Sequence, residues 1–338
     1  MTKSILYIGN DLQINSFTAT YISFFSKMLR KEGYKVKTAS TQNNKALRLI
    51  EMLGLILRYR KTTDVVLIDT YGAVNFYYAY LVAKTCQACN LEYIPILHGG
   101  NLPERLKSSK KYSKNLFGKA KVNIAPSKFL YEVFKNEGFH NVQIVPNAIQ
   151  MKHYPFKERK EFRPRLLWVR RFQKRYNPVM ALDVLLLLKK YYPSAQLCMV
   201  GPEKDGSMQT CRKFAAKNKL NVKFTGKLKK KEWAELAADY DFFINTTTID
   251  NTPISVIEAM SLGLGVVSTN VGGIPVLIKH NEEGVLVPVN NAAAMAQKIA
   301  ELVGNPEKTQ SLVKNARKKV EGFSWEEVKT DWDKVLNS

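Results

Sequence analysis

The sequence predicts an α/β protein built as two doubly wound domains with parallel sheets. Two observations lead there. Short β-rich runs alternate with segments of helical period along the 338 residues, and strands joined by crossover helices pair in parallel. The alternation breaks once, in MKHYPFKERKEFRPR (151–165), which has no period and is dense in charge and proline. A chain of this length also exceeds what one core normally serves, so two domains joined by a linker are expected.

The first set reads ILYIG, SFTATYISFFSKMLRKEG, YKVKTAS, a long amphipathic stretch, DVVLIDTYG, a further helix, YIPILHGG, VNIAPS and VQIVPNAI. The Ile- and Val-rich runs have strand length and the intervening segments helix length. Tyr21, Phe24, Phe25, Met28 and Leu29 make the i, i+3, i+4, i+7, i+8 stripe of a helix lying on a sheet, and Gly33 suits its end. These aromatics therefore belong to a core. The second set reads RLLWVRR, MALDVLLLLKKYY, QLCMVGP, a basic helix, VKFTG, KKEWAELAADY, DFFIN, the helix after Pro253, GVVSTN and GVLVPV. Three helical segments close the chain, the last opened by a capping-box pair, Ser324 and Glu327. The expected boundaries are 1–149, a linker over 150–164, and 165–322, with the last helix, about 323–338, packing back on the first domain.

The composition, 45% hydrophobic and 24% charged, is that of a folded globular protein. No apolar run reaches the roughly 18–20 residues that span a bilayer, and MTKSILYIGN enters a strand without a signal-peptide pattern, so a cytoplasmic location is expected. Four cysteines are too few for a disulfide framework. Cys86 and Cys89 form a CxxC late in a helical segment, whereas a redox pair opens a helix, so both are read as packing residues. The net charge is +23, and Arg105 to Arg175 holds 19 Lys or Arg against 4 Asp or Glu, a surplus of 15. Nucleic acid, a phospholipid surface or a phosphorylated small molecule would each suit such a stretch, and a solvated basic face is the plain alternative. Nucleic acid is disfavoured because it calls for stacking aromatics on an exposed platform, and these aromatics fall at core positions.

The first strand runs into GNDLQINS and not GxGxxG, which excludes a nicotinamide-dinucleotide fingerprint. A more informative stretch is TTTIDNTPISVIEAM, residues 246–260. Thr252 suits an N-cap and Pro253 the first helical position, which starts a helix at a strand's carboxyl end. The free N–H groups and dipole of such a helix suit a diphosphate. Asp250 and Glu258 beside it cannot both be phosphate ligands, but they can accept hydrogen bonds from sugar hydroxyls. Glu258 stands about 9 Å along the axis from Thr252. In so apolar a helix it needs a partner, either such a hydroxyl or a nearby Lys or Arg.

With DNTPISVIEAMSLGLGVVSTNVGG (Asp250 to Gly273), LLWVRRFQKRYNP and YIPILHGGN, the sequence resembles the retaining, nucleotide-sugar-dependent glycosyltransferases of group 1, also called family 4. The resemblance covers most of the chain and is strongest from Arg165 to Pro288. It implies the GT-B fold: two Rossmann-like domains facing each other across a cleft, the first on the acceptor side and the second binding the donor. It implies that Asp250 binds donor-sugar hydroxyls, that the backbone around Asn251, Thr252, Pro253 and Ile254 meets sugar and phosphate oxygens, and that Glu258 holds the ribose. Arg171 matches the arginine of a strand-end basic pair, but Tyr176 stands at the lysine place, so either Lys174 or Arg175 supplies the missing cation or the family role has moved elsewhere. Asp250 itself is shorter than the usual Glu. By the same resemblance His98 faces the donor sugar, Gly99 and Gly100 allow close backbone approach, and Arg105 meets an anionic acceptor group. Gly9 and Asn10 shape the acceptor side, and Gly226 lies near the nucleotide base. The implied reaction is metal-independent, without cofactor, and transfers a sugar from a nucleoside diphosphate to a saccharide or lipid-linked acceptor, the departing phosphate taking the acceptor's proton. The expected setting is bacterial cell-envelope polysaccharide synthesis, peripheral to the inner face of the cytoplasmic membrane. A nucleotide-sugar epimerase or hydrolase on the same fold, and a basic nucleic-acid-binding protein, are the alternatives.

Overall fold

The computed structural model of the chain describes residues 3–10 and 21–338, and the GNDLQINS turn falls outside them from Asp11 onward. Two compact units are present, Met1–Ala148 with Trp325–Ser338, and Ile149–Ser324.

In the first unit the order is β1 (Ser4–Ile8), α1 (Tyr21–Lys31), β2 (Lys35–Ala39), α2 (Lys45–Tyr59), β3 (Val65–Thr70), α3 (Asn75–Ala88), β4 (Glu92–Leu97), α4 (Leu102–Ser108), α5 (Lys110–Gly118), β5 (Asn123–Ala125), α6 (Lys128–Asn136) and β6 (Val142–Ile144). The six strands are parallel and lie in the order β2-β1-β3-β4-β5-β6. Phe25, Met28 and Leu29 of the α1 stripe are buried, and Gly33, at φ +94°, takes the left-handed turn after the helix. The Cys86 thiol is buried in α3 and pushed up to about 12 by desolvation, and neither it nor Cys89 is in a disulfide.

The second unit runs β7 (Arg165–Val169), α7 (Pro178–Leu188), β8 (Gln196–Val200), α8 (Ser207–Lys217), β9 (Val222–Gly226), α9 (Lys230–Leu236), β10 (Phe242–Asn245), α10 (Ile254–Ser261), β11 (Gly265–Thr269), α11 (Ile274–Leu277), β12 (Val285–Val287), α12 (Ala292–Val303) and α13 (Pro306–Glu321). Its parallel strands lie in the order β12-β11-β10-β7-β8-β9. The chain then enters α14 (Trp325–Asn337) in the first unit, where the Trp332 ring lies tilted against Phe25, centroids 4.5 Å apart, and joins the core on the α1 face.

Each sheet reverses winding direction once, between β1 and β3 in the first unit and between β7 and β10 in the second. In open α/β sheets the crevice beyond the strands' carboxyl ends at that reversal is where ligands bind. The topology thus singles out residues 9–10 and 69–72 in one unit, and residues 170–176 and 246–251 in the other.

One expectation needs correction. The aperiodic stretch over 150–164 is not a free linker but part of the second unit, with Tyr154, Arg159 and Phe162 all buried. Arg159 donates to the carbonyls of Lys157, Ala237, Tyr240, Leu262 and Gly263, and Arg165 makes a bidentate pair with buried Asp241 at 2.7 and 3.0 Å. Dense charge here fastens the segment down through backbone carbonyls, which hydrophobic periodicity cannot reveal. The basic block is accordingly divided between the units and partly consumed inside them. Replacing Arg159 by Met would leave the carbonyls of Lys157, Tyr240 and Gly263 without their donor and take a positive charge from beside buried Asp241, so an unfolding free energy lower by about 3 kcal/mol is expected. Urea denaturation monitored by tryptophan fluorescence checks this, and an unchanged midpoint would show that the carbonyls find other donors.

Candidate active site

In the second unit, β7 delivers Arg170 and Arg171 to the switch point. Arg170 Nη2 is ion-paired with Asp250 Oδ2, with the two side chains 14% and 17% exposed. Asp250 Oδ1 accepts from the Asn251 amide at 3.0 Å, so both carboxylate oxygens are engaged. The Arg170 guanidinium also lies 4.9 Å from the Tyr176 ring centroid, and its buried Nε has no partner. Arg171, the arginine singled out in the sequence, is exposed and pairs with no described acid.

The three threonines before Asp250 hold the two loops together. Thr246 Oγ1 accepts from Trp168 Nε1 and donates to the Tyr176 carbonyl, while the Thr248 amide and hydroxyl both donate to the Arg175 carbonyl. Lys174 is exposed, and its amide donates to Asp205 at 3.0 Å. Two glycines admit close approach from neighbouring loops. At Gly201 a Cβ would meet the Arg170 carbonyl at 1.7 Å, and at Gly272, with φ +56°, it would meet that of Asp250 at 2.1 Å. The Gly-Gly pair after β11 is therefore read best as the floor under the Asp250 loop.

The helix start differs from expectation. Pro253, with ψ 114°, occupies the N-cap place, and its carbonyl receives the Val256 and Ile257 amides, so α10 begins at Ile254. Thr252 does not cap it. Instead the hydroxyls of Thr252 and Ser255 are both buried without a hydrogen-bond partner. The amides of Ile254 and Ser255 precede the first helical bond, and no carbonyl of the helix serves them. Two hydroxyls and two amides thus converge on one helix terminus, a set of donors suited to an anion.

Glu258 follows one turn on and is 3% exposed. Its Oε1 accepts from Tyr154 Oη at 2.5 Å and is ion-paired with Lys230 Nζ. Burial and then the Glu258 carboxylate raise the Tyr154 pKa well above the usual phenol range, so this phenol stays a donor. Sequence reasoning allowed for a lysine partner without naming it, and missed Tyr154 entirely. Gly226, at the end of β9 with φ +69°, accepts from the Gly201 amide at 2.8 Å and turns the chain towards Lys230.

In the first unit His98 Nε2 lies 2.8 Å from Asp69 Oδ1, with side chains 7% and 4% exposed. Asp69 Oδ1 also accepts from Tyr7 Oη at 2.7 Å, and burial, with Asp69 next, raises the Tyr7 pKa. Against a carboxylate oxygen Nε2 carries a proton and donates, which fixes the plane of the ring. Tyr71 stacks on the ring at 5.3 Å and Tyr21 meets it edge-on at 5.1 Å. Gly9 is required here, because a Cβ would meet Asp69 Oδ2 at 2.5 Å. Asn10 accepts from Arg48 and, with Gly9, Asp69, Tyr71 and Asn75, lines a recess at the switch point. A Cβ at Gly99 would meet the Gly72 amide at 2.8 Å, and Gly100 follows in the turn to α4. Arg105, expected at an acceptor anion, is used internally. It donates to the Gly72 carbonyl at 2.8 Å and to Ser109, and lies 5.4 Å from the Phe76 and Tyr77 ring centroids.

Residues 150–319, half of the chain, match the family Glycosyl transferases group 1. The chain belongs to this family. The putative colanic acid biosynthesis glycosyltransferase WcaL of Escherichia coli is 40% identical over 74 residues, 22% of this chain and 18% of that protein. The amylovoran biosynthesis glycosyltransferase AmsK of Erwinia amylovora is 24% identical over 273 residues, 73% of this chain and 65% of that one. The chain thus covers less than two thirds of the length of either relative. Among solved structures, sucrose-phosphate synthase from Thermosynechococcus elongatus matches with a TM-score of 0.81 at 16% identity, covering 99% of this chain and 98% of that one. Anabaena HepE in complex with UDP and glucose matches with a TM-score of 0.79 at 16% identity, covering 99% and 100%. Both likenesses establish the GT-B fold of this group 1 member.

Proposed function

We propose that this group 1 member is a retaining glycosyltransferase that moves a sugar from a nucleoside diphosphate to a saccharide or lipid-linked acceptor in bacterial envelope polysaccharide synthesis, at an anionic membrane surface. The observation that carries the reading is the start of α10, where two free amides and the unpartnered hydroxyls of Thr252 and Ser255 lie between two fixed carboxylates, Asp250 and Glu258. The names of WcaL, AmsK and the UDP-bound HepE support the substrate class.

In this reading the diphosphate meets the helix terminus, Asp250 accepts from sugar hydroxyls and Glu258 from the ribose. The bond between the anomeric carbon and the phosphate oxygen breaks with the electron pair leaving on the phosphate. Fixed amides, hydroxyls and the exposed Arg171 and Lys174 stabilise that charge. The acceptor oxygen then bonds to the same face of the carbon, and its proton passes to the departing phosphate oxygen, so neither a side-chain nucleophile nor a net proton from solvent is needed. His98 belongs to the acceptor-side unit, its ring oriented by Asp69.

Isothermal titration of the full chain with a panel of UDP- and GDP-sugars tests the donor class, and NMR of the product with the bound donor gives the anomeric configuration. Binding of one sugar nucleotide and a product of retained configuration are expected. Inversion would remove the front-face mechanism, and turnover equally fast without any acceptor would turn the reading into a hydrolase or epimerase.

A further inference from the structure

Outside the site, the most unusual surface lies on the helical layer of the first unit formed by α2, α3 and α5. Among the described residues, seven of the ten exposed large hydrophobic side chains are found there. On α2 they are Leu47, Ile50 and Leu57, exposed 53%, 65% and 48% and spaced i, i+3, i+10, which is one stripe along the helix. On α3, Tyr77 and Leu81 continue a stripe that begins with Val74 before the helix and ends with Lys84. The helix α3 packs against both α2 and α5. The Tyr112 ring of α5 lies 6.1 Å from Tyr77 and 4.9 Å from Tyr80, so the apolar surface runs unbroken from α3 to α5.

Charge around this surface has one sign. Lys45 and Arg58 on α2, Lys84 on α3, and Lys110, Lys111 and Lys114 on α5 are exposed. The three helices contain a single acid, Glu51, and it is hydrogen-bonded to Ser40. Lysine is depleted at protein–protein contacts, whereas aliphatic and tyrosine side chains ringed by lysines match the headgroup zone of an acidic bilayer. The lysine stems lie along the apolar surface while their ammonium groups reach phosphates.

We propose that the outer face of α2, α3 and α5 docks on an anionic phospholipid bilayer. This assigns residues to the membrane attachment in the functional reading, and as a surface for a lipid-linked acceptor it rests on that reading. The sequence already pairs the basic block with the amphipathic LRLIEMLGLILRYRK, which is the α2 part of this face; of the basic block only the portion around α5 belongs to it, and α3 adds to the apolar share.

The test is sedimentation of the full chain with vesicles of phosphatidylcholine alone and of equimolar phosphatidylcholine and phosphatidylglycerol. Binding to the second and not the first is expected. Ile50→Ser with Leu57→Ser should weaken that binding by about tenfold or more, from the lost apolar burial. Lys110→Glu with Lys111→Glu should abolish the preference for phosphatidylglycerol, while Lys213→Glu with Lys217→Glu on exposed α8 of the second unit leaves it as it was. All these positions are at the surface, so melting temperatures should hold. Equal binding to both vesicles, none to either, or binding unaltered in the apolar variant would overturn the proposal. So would sedimentation equilibrium showing that the wild type pairs through this face and that Ile50→Ser with Leu57→Ser abolishes the pair. Sugar-nucleotide binding without vesicles should survive every variant, and its absence in the wild type would count against the functional reading and not against the docking face.

Discussion

Asp250→Asn is expected to lower sugar transfer by about two to three orders of magnitude, the size seen when a fixed partner of the reacting group is lost. The substitution conserves shape. Its side-chain oxygen can still accept from the Asn251 amide, so the loop keeps its anchor. What changes is the other side, where an amide N–H₂ now faces the Arg170 guanidinium, donor against donor. Arg170 already has a buried Nε without a partner, so it would be left with a poorly compensated charge. A stability loss on the order of 2 kcal/mol is expected alongside the catalytic one, smaller than for a fully buried pair because both side chains are partly exposed.

The companion variants separate the two effects. Arg170→Met removes the same ion pair yet leaves the carboxylate free for sugar hydroxyls. It should reproduce the loss of stability while lowering turnover by only about tenfold, through looser positioning of Asp250. Asp250→Glu restores the reach lost by the shorter chain but pushes against Arg170, so it should change the preferred donor sugar more than the rate on the best one. Steady-state turnover with saturating donor reads all three. Should Asp250→Asn turn over as fast as the wild type, the carboxylate would be structural only.

The parts of this site that were legible in the sequence are those carried by local pattern. Strand ends, the helix following Pro253, and the eight-residue interval between Asp250 and Glu258 all follow from periodicity and propensity along a short stretch. What the sequence concealed is who pairs with whom across long separations. Arg170 and Arg171 are equivalent on paper, and only the way β7 leaves the sheet turns the first to Asp250, 80 residues on. Tyr154 lies in the stretch with no period and reaches Glu258 across 104 residues, and Lys230 is one of a run of lysines whose helical phase decides which meets the acid. Asp69 was hidden differently, inside the apolar run DVVLIDT, where a carboxylate at a strand's carboxyl end was a signal available and unused. Buried Arg159 shows the converse, since a charge that looked solvated is enclosed by five carbonyls.

Glu258 is where structure and binding compete most directly, and four substitutions apportion the two roles. Glu258→Ala leaves the Tyr154 hydroxyl buried without an acceptor and Lys230 without its counter-charge, so a loss of about 3–5 kcal/mol is expected. Tyr154→Phe removes a donor but orphans nothing, because Lys230 still serves the carboxylate, and it should cost no more than about 1.5 kcal/mol. Lys230→Met falls between the two, since Tyr154 alone then supports a charge that is 3% exposed. The decisive variant is Glu258→Gln. Its side-chain oxygen at the Oε1 place can take both the Tyr154 and the Lys230 hydrogen bonds, so the fold should hold within about 2 kcal/mol, while its N–H₂ group at the Oε2 place offers a ribose a donor where it had a carboxylate. Nucleotide affinity should therefore fall by roughly tenfold or more, the difference between a charged and a neutral acceptor, with little change in the urea midpoint. If affinity and midpoint instead fall together in all four variants, Glu258 holds α10 in place and the ribose is bound elsewhere. If affinity alone responds, and most strongly in Glu258→Gln, the carboxylate serves the nucleotide directly while Tyr154 and Lys230 keep it aimed.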